Sequence, residues 1–246
     1  DNFISSFGPS FSASSVLPEV FALEKDGFVT YNATNREVKV NKDLVDFYQK
    51  ANAKKIDYDL LRFSSYGEKN VGKLELSDKH IEIYRVPKLR FNDSTYVYAY
   101  PDDSTPVQLS DARKLKFNGK LLAGRLDFFG NDFKFNYDSF SMKSDKINQI
   151  RINIPDKIDK VTGEELLKPL KSLLEKVNGQ IQINARFNKS GKESAPQYPK
   201  MTTYSNSFVY YDHPNIYGGK YHRDGFYFEV SPFNKDSLNK FEPSVL

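Results

Sequence analysis

The sequence contains no cysteine and no tryptophan, and only 2 of its 246 residues are methionine. Without cysteine, the chain cannot carry out thiol catalysis, bind zinc through thiolates or form disulfide bonds. Histidine is nearly as scarce, with 3 residues, so histidine chemistry has few positions available. No apolar run is long enough to cross a bilayer as a helix. The large apolar contacts therefore depend on phenylalanine and tyrosine, which number 20 and 16.

The charges are nearly balanced, with 36 basic and 32 acidic residues spread along the chain and a net charge of +4. Because no basic block stands apart, the composition gives little support to nucleic acid as a partner. The length allows one large β domain or two smaller domains. The sequence shows no signal peptide and starts at Asp1, which we interpret as a processed protein or, in preference, a fragment of a longer chain.

Between Val71 and Ile154, apolar and polar residues alternate in short segments, as in GKLEL at 72–76 and TYVYAY at 95–100. This alternation predicts strands with one buried and one exposed face. Turns are expected where turn-forming residues separate the segments: Asp78-Lys79, Asn92-Asp93, Pro101-Asp102-Asp103, Asn118-Gly119, Gly130-Asn131 and Ser144-Asp145. The loosely similar phrases GKLEL, NGKLLAGRLDFFG and NGQIQINARF leave a solenoid-like repeat open.

The first 70 residues follow a different pattern. Asp1 to Ser15 favours an extended arm, because a Gly-Pro pair interrupts any helical spacing of its phenylalanines. Val16 to Leu23 is a short apolar segment divided by a proline. GFVTY at 27–31 and EVKV at 37–40 predict a hairpin, and residues 42–53 predict a helix that begins after Asn41.

A second helix is predicted over residues 162–178. Thr162 and Glu165 have the spacing of a capping box, and Asn178-Gly179 is a typical stop signal. Five apolar residues share one face of this helix: Leu166, Leu170, Leu173, Leu174 and Val177. Pro169 is expected to kink the helix or to mark its first turn.

Together these patterns predict a mainly β protein, built as an extended, twisted, largely antiparallel sheet or as a solenoid-like stack, with two short helices. Residues 1–70 would form an N-terminal arm, a hairpin and a helix. Residues 71–246 would form the main β region, with one helix near 163–178. We expect the two parts to make one continuous structural unit.

The stretch from Ser207 to Phe233 concentrates aromatic residues and holds two of the histidines. Val209 to Tyr211 and Tyr221 to Val230 are predicted strands, and turn-forming residues separate them. The favoured interpretation is a hairpin whose rings pack against the sheet, since an aromatic core face is commoner than a ligand site. The rim at 217–222 is the part still expected to bind a ligand.

Tyrosine is the residue type that best indicates a ligand site here, because its ring stacks on sugars and anchors protein interfaces. Tyr96, Tyr98 and Tyr100 are expected to share one face of a strand. The candidate ligand-binding residues are Tyr217, Tyr221, His222, Arg223, Tyr96, Tyr98 and Tyr100. The absence of tryptophan lowers the support for sugar binding. An edge strand that pairs with a partner chain is a further alternative.

Metal binding has two weak candidates, His213 and His222. With Asp212 and Asp224 they offer suitable ligand types. Their spacing matches no metal motif, and exposed turn residues are the simpler interpretation. The sequence therefore predicts no metal and no cofactor.

Catalysis has equally weak candidates. Asp102-Asp103 and Glu164-Glu165 are carboxylate pairs of the kind that glycosidases use. A turn and a helix start are also where acidic residues occur for structural reasons. No nucleophile or phosphate-binding motif appears. The sequence therefore predicts no catalytic residue.

Several phrases spread over most of the chain carry a resemblance. They are GFVTYNATNREVKV, VPKLRFNDSTYVYAYPDD, FNGKLLAGRLDFFG, NKSGKESAPQYP, SFVYYD, IYGGKYHRDGFYFEVSPF and DSLNKF. In these phrases the sequence resembles large β-rich cell-envelope proteins of Bacteroidota-type bacteria and, more distantly, the AsmA/TamB class of long envelope proteins. The phrases are structural, so they bring no catalytic residues with them.

The resemblance implies a non-enzymatic structural or binding segment of a large bacterial envelope protein, in the periplasm or associated with the outer membrane. It would line a groove for lipid or for a partner. Its partners would be other segments of a longer chain or other envelope proteins, with lipid or glycan as further ligands and without nucleic acid or a transmembrane helix. The alternative is a carbohydrate-binding module or a glycoside-active enzyme, which two carboxylates in a tyrosine-lined cleft would support.

Overall fold

The computed structural model describes residues 13–57, 61, 63–67, 71–92, 94–110, 113–163, 165–214 and 216–242. The expected N-terminal arm falls on residues 1–15, of which the first twelve lie outside the described residues. The protein is mainly β, as predicted, with 47% of its residues in strands and 13% in helices. It divides into two compact units, Asp1–Asp57 and Tyr58–Leu246.

The first unit places a hairpin between two helices. Helix α1 spans Ala13–Lys25 and helix α2 spans Lys42–Asn52, with strand β1 at Val29–Asn32 and strand β2 at Glu37–Val40 between them. The structure confirms the predicted hairpin and the predicted helix after Asn41. In the turn, the side-chain oxygen of Asn32 accepts hydrogen bonds from the backbone N–H groups of Thr34 and Asn35.

Helix α1 replaces the short segment that the proline was expected to divide. Pro18 lies inside the helix. Val16 and Val20 pack with Val29 of β1 in a small buried cluster. Apolar packing on the hairpin thus outweighs the cost of the proline, because tertiary contacts routinely override local propensity.

The second unit contains a sheet of 13 strands, which is antiparallel throughout its described pairs. The strands are β3 Gly72–Glu75, β4 His80–Ile83, β5 Leu89–Asn92, β6 Val97–Pro101, β7 Val107–Ser110, β8 Lys114–Ala123, β9 Leu126–Asn136, β10 Ser141–Ile158, β11 Glu165–Gln182, β12 Lys200–Thr203, β13 Ser207–Tyr210, β14 Tyr227–Val230 and β15 Asn234–Lys235. Single 3-10 turns lie at Tyr217–Gly219 and Leu238–Lys240.

The strand order is β14-β13-β11-β10-β9-β8-β7-β4-β3. Strand β6 pairs with β8 beyond the end of β7 and carries β5, while β12 pairs with β11 and carries β15. Neighbours in the sheet are therefore mostly neighbours in sequence, as in a meander. This confirms the extended antiparallel sheet, and it does so without the repeat that a solenoid-like stack would need.

One face of the sheet carries an aromatic core. Phe117, Phe128, Phe133 and Phe135 of β8 and β9 are at most 2% exposed. The rings of Phe117 and Phe133 stack 5.3 Å apart, and Phe91 of β5 lies 4.8 Å from the ring of Phe135. Phenylalanine thus supplies the core contacts that the composition led us to expect.

The boundary between the two units lies at Asp57, whereas the sequence placed the change of character at residue 70. Leu61 and Phe63 pack against the large core. The N–H of Tyr66 donates a hydrogen bond of 3.1 Å to the carbonyl of Arg85. Residues from this segment therefore belong to the second compact unit.

Irregular pairing recurs at one level across the central strands, and the β10–β11 ladder has two more register shifts, after Arg151 and after Pro155. Register shifts occur after Phe117 in β8, after Ile147 in β10 where it faces β9, and after Ser144 in β10 where it faces β11. Gly119 pairs with Gly130 at this level, and Gly179 of β11 pairs with Ser144. Such β-bulges bend strands and increase their twist, so they divide the sheet into two halves. We call this level the bulge line.

The predicted turns at Asn118-Gly119, Gly130-Asn131 and Ser144-Asp145 are wrong, because all three lie inside strands at the bulge line. Glycine is needed there for close backbone approach. A Cβ atom on Gly130 would lie 2.5 Å from the carbonyl oxygen of Lys146. Bulges and turns favour the same residue types, which explains the misassignment.

The predicted helix at 163–178 is also wrong. Residues Glu165–Gln182 form β11, which pairs with β10 from Ser141↔Gln182 to Ile158↔Glu165. Glu165 does not complete a capping box, because its carboxylate binds Arg125 at 2.7 Å. Leu174 and Val177 of the predicted apolar face are buried, but Leu166 of the same face remains exposed.

Pro169 argues against the helix and is compatible with the strand. It pairs with Asn153 of β10. In the described chain, residues 165–173 of β11 have β10 as their strand neighbour, and β13 joins only at Leu174. A proline is tolerated in such an edge position, because no second neighbouring strand needs a hydrogen bond from the N–H group that proline lacks.

Substituting Gly130 tests the bulge line. We expect Gly130→Ala to lower the free energy of unfolding by about 2 kcal/mol or more, because the new Cβ meets backbone atoms that cannot move aside. Urea denaturation followed by circular dichroism measures this loss.

Gly72→Ala is the matched control, because Gly72 also lies in a strand and its nearest neighbour would be an ordinary 3.9 Å away. This variant should change the free energy of unfolding by less than about 1 kcal/mol. Equal urea midpoints of unfolding for the two variants would contradict the close contact between Gly130 and the backbone of Lys146 at the bulge line.

Candidate functional site

The aromatic stretch predicted as a hairpin is a hairpin with a long connection. Strands β13 and β14 pair from Ser207↔Val230 to Tyr210↔Tyr227, so residues 211–226 connect them. Tyr221, predicted as the start of a strand, lies in this connection. Strand β14 is at the end of the sheet order, where β13 is its described neighbour.

The expectation that these rings pack against the sheet is wrong for four of the nine aromatic residues at 207–233. Tyr210 is buried at 6%, and Phe233 packs against the core. Tyr217, Phe226, Tyr227 and Phe228 are exposed at 78%, 49%, 48% and 58%. The hairpin therefore presents aromatic rings to solvent.

The exposed rings are ordered by contacts with one another. Tyr221 stacks on Phe226 with centroids 4.6 Å apart, and Tyr211 and Tyr217 pack edge-on at its two ends, against Phe226 and Tyr221 respectively. A second group joins Phe208, Tyr210 and Tyr227. We call these rings, with Phe228, the aromatic surface. Its residues are Phe208, Tyr210, Tyr211, Tyr217, Tyr221, Phe226, Tyr227 and Phe228.

Arg223 ties the connection to the sheet. Its guanidinium donates to both carboxylate oxygens of Glu175 on β11, at 2.8 and 3.0 Å, and to Asp212 at 2.8 Å. The guanidinium carbon also lies 4.0 Å from the ring centroid of Tyr210. A bidentate pair of this kind fixes the orientation of the guanidinium as well as balancing its charge.

These contacts shift the pKa values of the groups involved. The hydrogen bonds to Glu175 and then to Asp212 raise the pKa of Arg223 above its ordinary value. The hydrogen bond from Arg223 lowers the pKa of Asp212. A lowered carboxyl pKa means that Asp212 supports this arrangement at neutral pH and stops doing so only as the pH falls through that lowered value. Of the predicted ligand residues in this stretch, Arg223 is held by ion pairs and Tyr217 and Tyr221 contact each other through their rings, while His222 is exposed.

Two of the three tyrosines predicted on one strand lie as expected. Tyr98 and Tyr100 are half-buried on the face of β6 opposite to the buried Val97 and Ala99. Tyr96 does not share this face, because it lies in the turn before β6 with a φ of 53°. The two groups of predicted tyrosines occupy different parts of the sheet, and no described contact joins them.

A set of cations covers Tyr98 and Tyr100. The Nζ atom of Lys88 lies 3.9 Å from the Tyr98 ring centroid, and that of Lys120 lies 5.9 Å from the Tyr100 centroid. Lys120 and Arg151 also approach the ring of Phe129, at 5.6 and 5.0 Å. Cation–π contacts of this kind occupy the ring faces that a ligand would need.

Asp127 holds these cations in place. It is 4% exposed, and its carboxylate pairs with Arg151 at 2.5 Å and Lys120 at 3.3 Å. Sequence analysis missed this group, because its members converge only through cross-strand register. Lys120 pairs opposite Phe129, and Arg151 pairs opposite Asp127.

The metal and catalytic candidates lie in structural positions. His213 is half-buried after β13, and His222 is exposed in the connection. Among the described residues, no three His, Cys, Asp or Glu side chains come together in a way that could hold a metal ion.

The carboxylate pairs show the same pattern. Asp102 and Asp103 lie in an exposed turn after β6, where Asp103 accepts a hydrogen bond from Tyr66. Glu165 is bound to Arg125, and Glu164 lies outside the described residues.

No protein-family model, curated protein or solved structure matches the chain. Within the described residues, no helix is both long enough and apolar enough to cross a membrane.

Removing Arg223 tests how the aromatic surface is held. We expect Arg223→Gln to speed chymotrypsin cleavage at the aromatic residues of 211–226 several-fold, because the connection loses both carboxylate partners. The free energy of unfolding should change by less than about 1 kcal/mol, since the pair is solvent-accessible. Limited proteolysis followed by mass spectrometry measures the cleavage rate.

The control is Arg186→Gln, which removes an exposed arginine from another loop of the same unit. Its cleavage rate within 211–226 should equal that of the unmodified chain. The same rate in both variants would show that Arg223 does not hold the connection.

Proposed function

We propose that this chain is a non-enzymatic binding segment of a bacterial cell-envelope protein, and that it binds a partner protein chain through the aromatic surface at the β14 edge. The envelope location is carried by the resemblance of its sequence phrases. The binding role is carried by the four strongly exposed rings of Tyr217, Phe226, Tyr227 and Phe228.

The composition of the aromatic surface favours protein as the partner. Tyrosine and phenylalanine are enriched where protein chains meet, and they contribute large contact areas at low entropic cost. The rings are already positioned by mutual packing and by Arg223, so less conformational entropy is lost on binding. Several large exposed apolar side chains at one end of a sheet commonly mark an interaction site.

The edge strand adds a second means of recognition. Strand β14 pairs with β13 on one side, and no other described strand pairs with it. An edge strand offers backbone N–H and C=O groups to an incoming strand. Exposed Tyr227 and Phe228 lie on this strand and, as consecutive residues, point to its two opposite faces, so an added strand would meet a ring on each face.

The lipid-groove version of the envelope hypothesis has less support. The apolar face of the sheet is occupied by its own core, in which Phe117, Phe128, Phe133 and Phe135 are at most 2% exposed. The glycosidase alternative also has less support, because Glu165 of its candidate carboxylates is held in an ion pair with Arg125. These observations favour protein recognition.

Site-specific photo-crosslinking in the source cells tests the proposal. A benzophenone-bearing phenylalanine at position 228 should form an adduct with one or a few defined proteins, and the adduct should fractionate with the cell envelope. Mass spectrometry identifies the partner and the fraction.

The control places the same residue at Tyr48 of α2, which is equally accessible with 64% exposure. It should give no comparable adduct. Adducts from position 48 alone, equal adducts from both positions, or recovery of the protein from the cytosol would contradict the proposal. An adduct with glycan would favour the carbohydrate-binding alternative.

A further inference from the structure

Three lysines stand directly opposite one another on the polar face of the sheet, in the half that contains β7 and β12. Lys116 of β8 pairs opposite Lys134 of β9, and Lys134 pairs opposite Lys143 of β10. Neighbouring strands lie about 4.8 Å apart, and like charges opposite one another destabilise a sheet. We call this set the lysine row.

The lysine row is only partly neutralised. Asp132 pairs with both Lys116 and Lys134 at 2.8 Å, and Asp145 approaches Lys143 at 3.9 Å. Burial alone would raise the pKa of Asp132, but the hydrogen bonds from the two lysines outweigh it and lower that pKa. One carboxylate shared by two lysines leaves positive charge in excess, and the three lysine side chains stay 50–51% exposed.

The lysine row lies in a surface cleft. A cavity of about 440 Å³ is lined by residues that include Ser110, Lys114, Lys116, Lys134, Asn136 and Lys143. A second cavity of about 540 Å³ shares Lys116 with it and adds Lys146. In the described lining of both cavities, Asp132 is the one acidic residue. Sequence order does not reveal this cleft, because it depends on the register of five strands, β7 to β11.

Hydroxyl and amide groups form the next row of the same face. Ser110 pairs opposite Lys114, Lys114 opposite Asn136, and Asn136 opposite Ser141. Gln180 of β11 continues the lysine row by pairing opposite Lys143. The cleft thus places ammonium groups beside neutral groups that both donate and accept hydrogen bonds.

We propose that this cleft binds an acidic polysaccharide. The ammonium groups of Lys116, Lys134 and Lys143 contact carboxylates or sulfates on the polymer. The neutral side chains of the adjacent row contact its hydroxyl groups. Placing a cationic row directly across three strands opposes folding, and such departures from local rules are expected at functional positions.

The lining favours a polysaccharide over a nucleic acid. Arginine, the residue that best matches phosphate geometry, is absent from the described lining. Single-stranded nucleic acid also needs exposed aromatic rings on which bases stack. The rings that line the cleft, Phe117 and Phe135, are at most 2% exposed.

Isothermal titration calorimetry at physiological ionic strength tests this site with polygalacturonate for carboxylates, dextran sulfate for sulfates, and neutral dextran. We expect binding of at least one acidic polymer and none of dextran. The variant Lys116→Gln/Lys134→Gln/Lys143→Gln should weaken that binding about tenfold or more, because three surface charge contacts are lost. The polymer that binds identifies the anionic group.

Two further variants keep the test decisive. Lys39→Gln/Lys55→Gln/Lys160→Gln removes the same charge from exposed positions outside the cleft and should weaken binding no more than about twofold. Lys114→Gln/Lys143→Gln keeps the ion pairs of Asp132 with Lys116 and Lys134, so we expect this variant to stay folded. It removes two lysines of the cleft, and its weaker binding therefore tests the site even if the triple variant unfolds. Equal losses in the cleft and control triples, no binding of either acidic polymer, or tighter binding of a single-stranded DNA oligonucleotide would overturn the proposal.

Discussion

The pairing of β10 with β11 is the interaction on which the rest of the second unit depends. Each strand has 18 residues, and their ladder runs from Ser141↔Gln182 to Ile158↔Glu165. The outer side of β11 then pairs with β12 through its last residues and with β13 at Leu174 and Glu175. Glu165 and Glu175 of the same strand bind Arg125 and Arg223. A helix at this place would leave the aromatic hairpin without a neighbour.

The bulge line gives the sheet two different polar surfaces. On one side of it, Lys120 and Arg151 lie over aromatic rings and around the buried Asp127, so their charges are satisfied within the protein. On the other side, Lys116, Lys134 and Lys143 pair with Asp132 and Asp145, but their side chains stay about half exposed and line a cleft. The same kinds of residue therefore stabilise the fold in one half and stay available to a ligand in the other.

Local patterns predicted much of this fold. Alternation of apolar and polar residues correctly indicated strands such as β3 and β6, although it missed β7, and the hairpin of the first unit followed from its turn residues. The leucines at 166–174 led to the wrong prediction of a helix. They lie in strand β11, where Leu166 and Leu167 are exposed, so their spacing does not mark a face that packs on the core. Gly119 and Gly130 predicted turns and Gly179 predicted a helix end, but all three lie at the bulge line.

The candidate sites were predictable only in part, for a related reason. A run of tyrosines and phenylalanines at 207–233 is visible in the sequence, although its exposure is not, since exposure depends on where the sheet ends. The lysine row has no local signature, because its members are 18 and 9 residues apart in the chain (Lys116, Lys134, Lys143) and meet only through cross-strand register. Pairing between strands, which one sequence does not encode locally, creates both the row and the cleft.

The strand conformation of 165–178 is the central claim, and backbone chemical shifts test it most directly. In isotope-labelled protein, the Cα and Cβ shifts of Leu166, Leu170 and Leu173 should show the signs of extended backbone, with inter-strand contacts between Ile154 and Lys168. Helical shifts over this segment, with contacts between residues three and four apart, would contradict the sheet and both surfaces built on it.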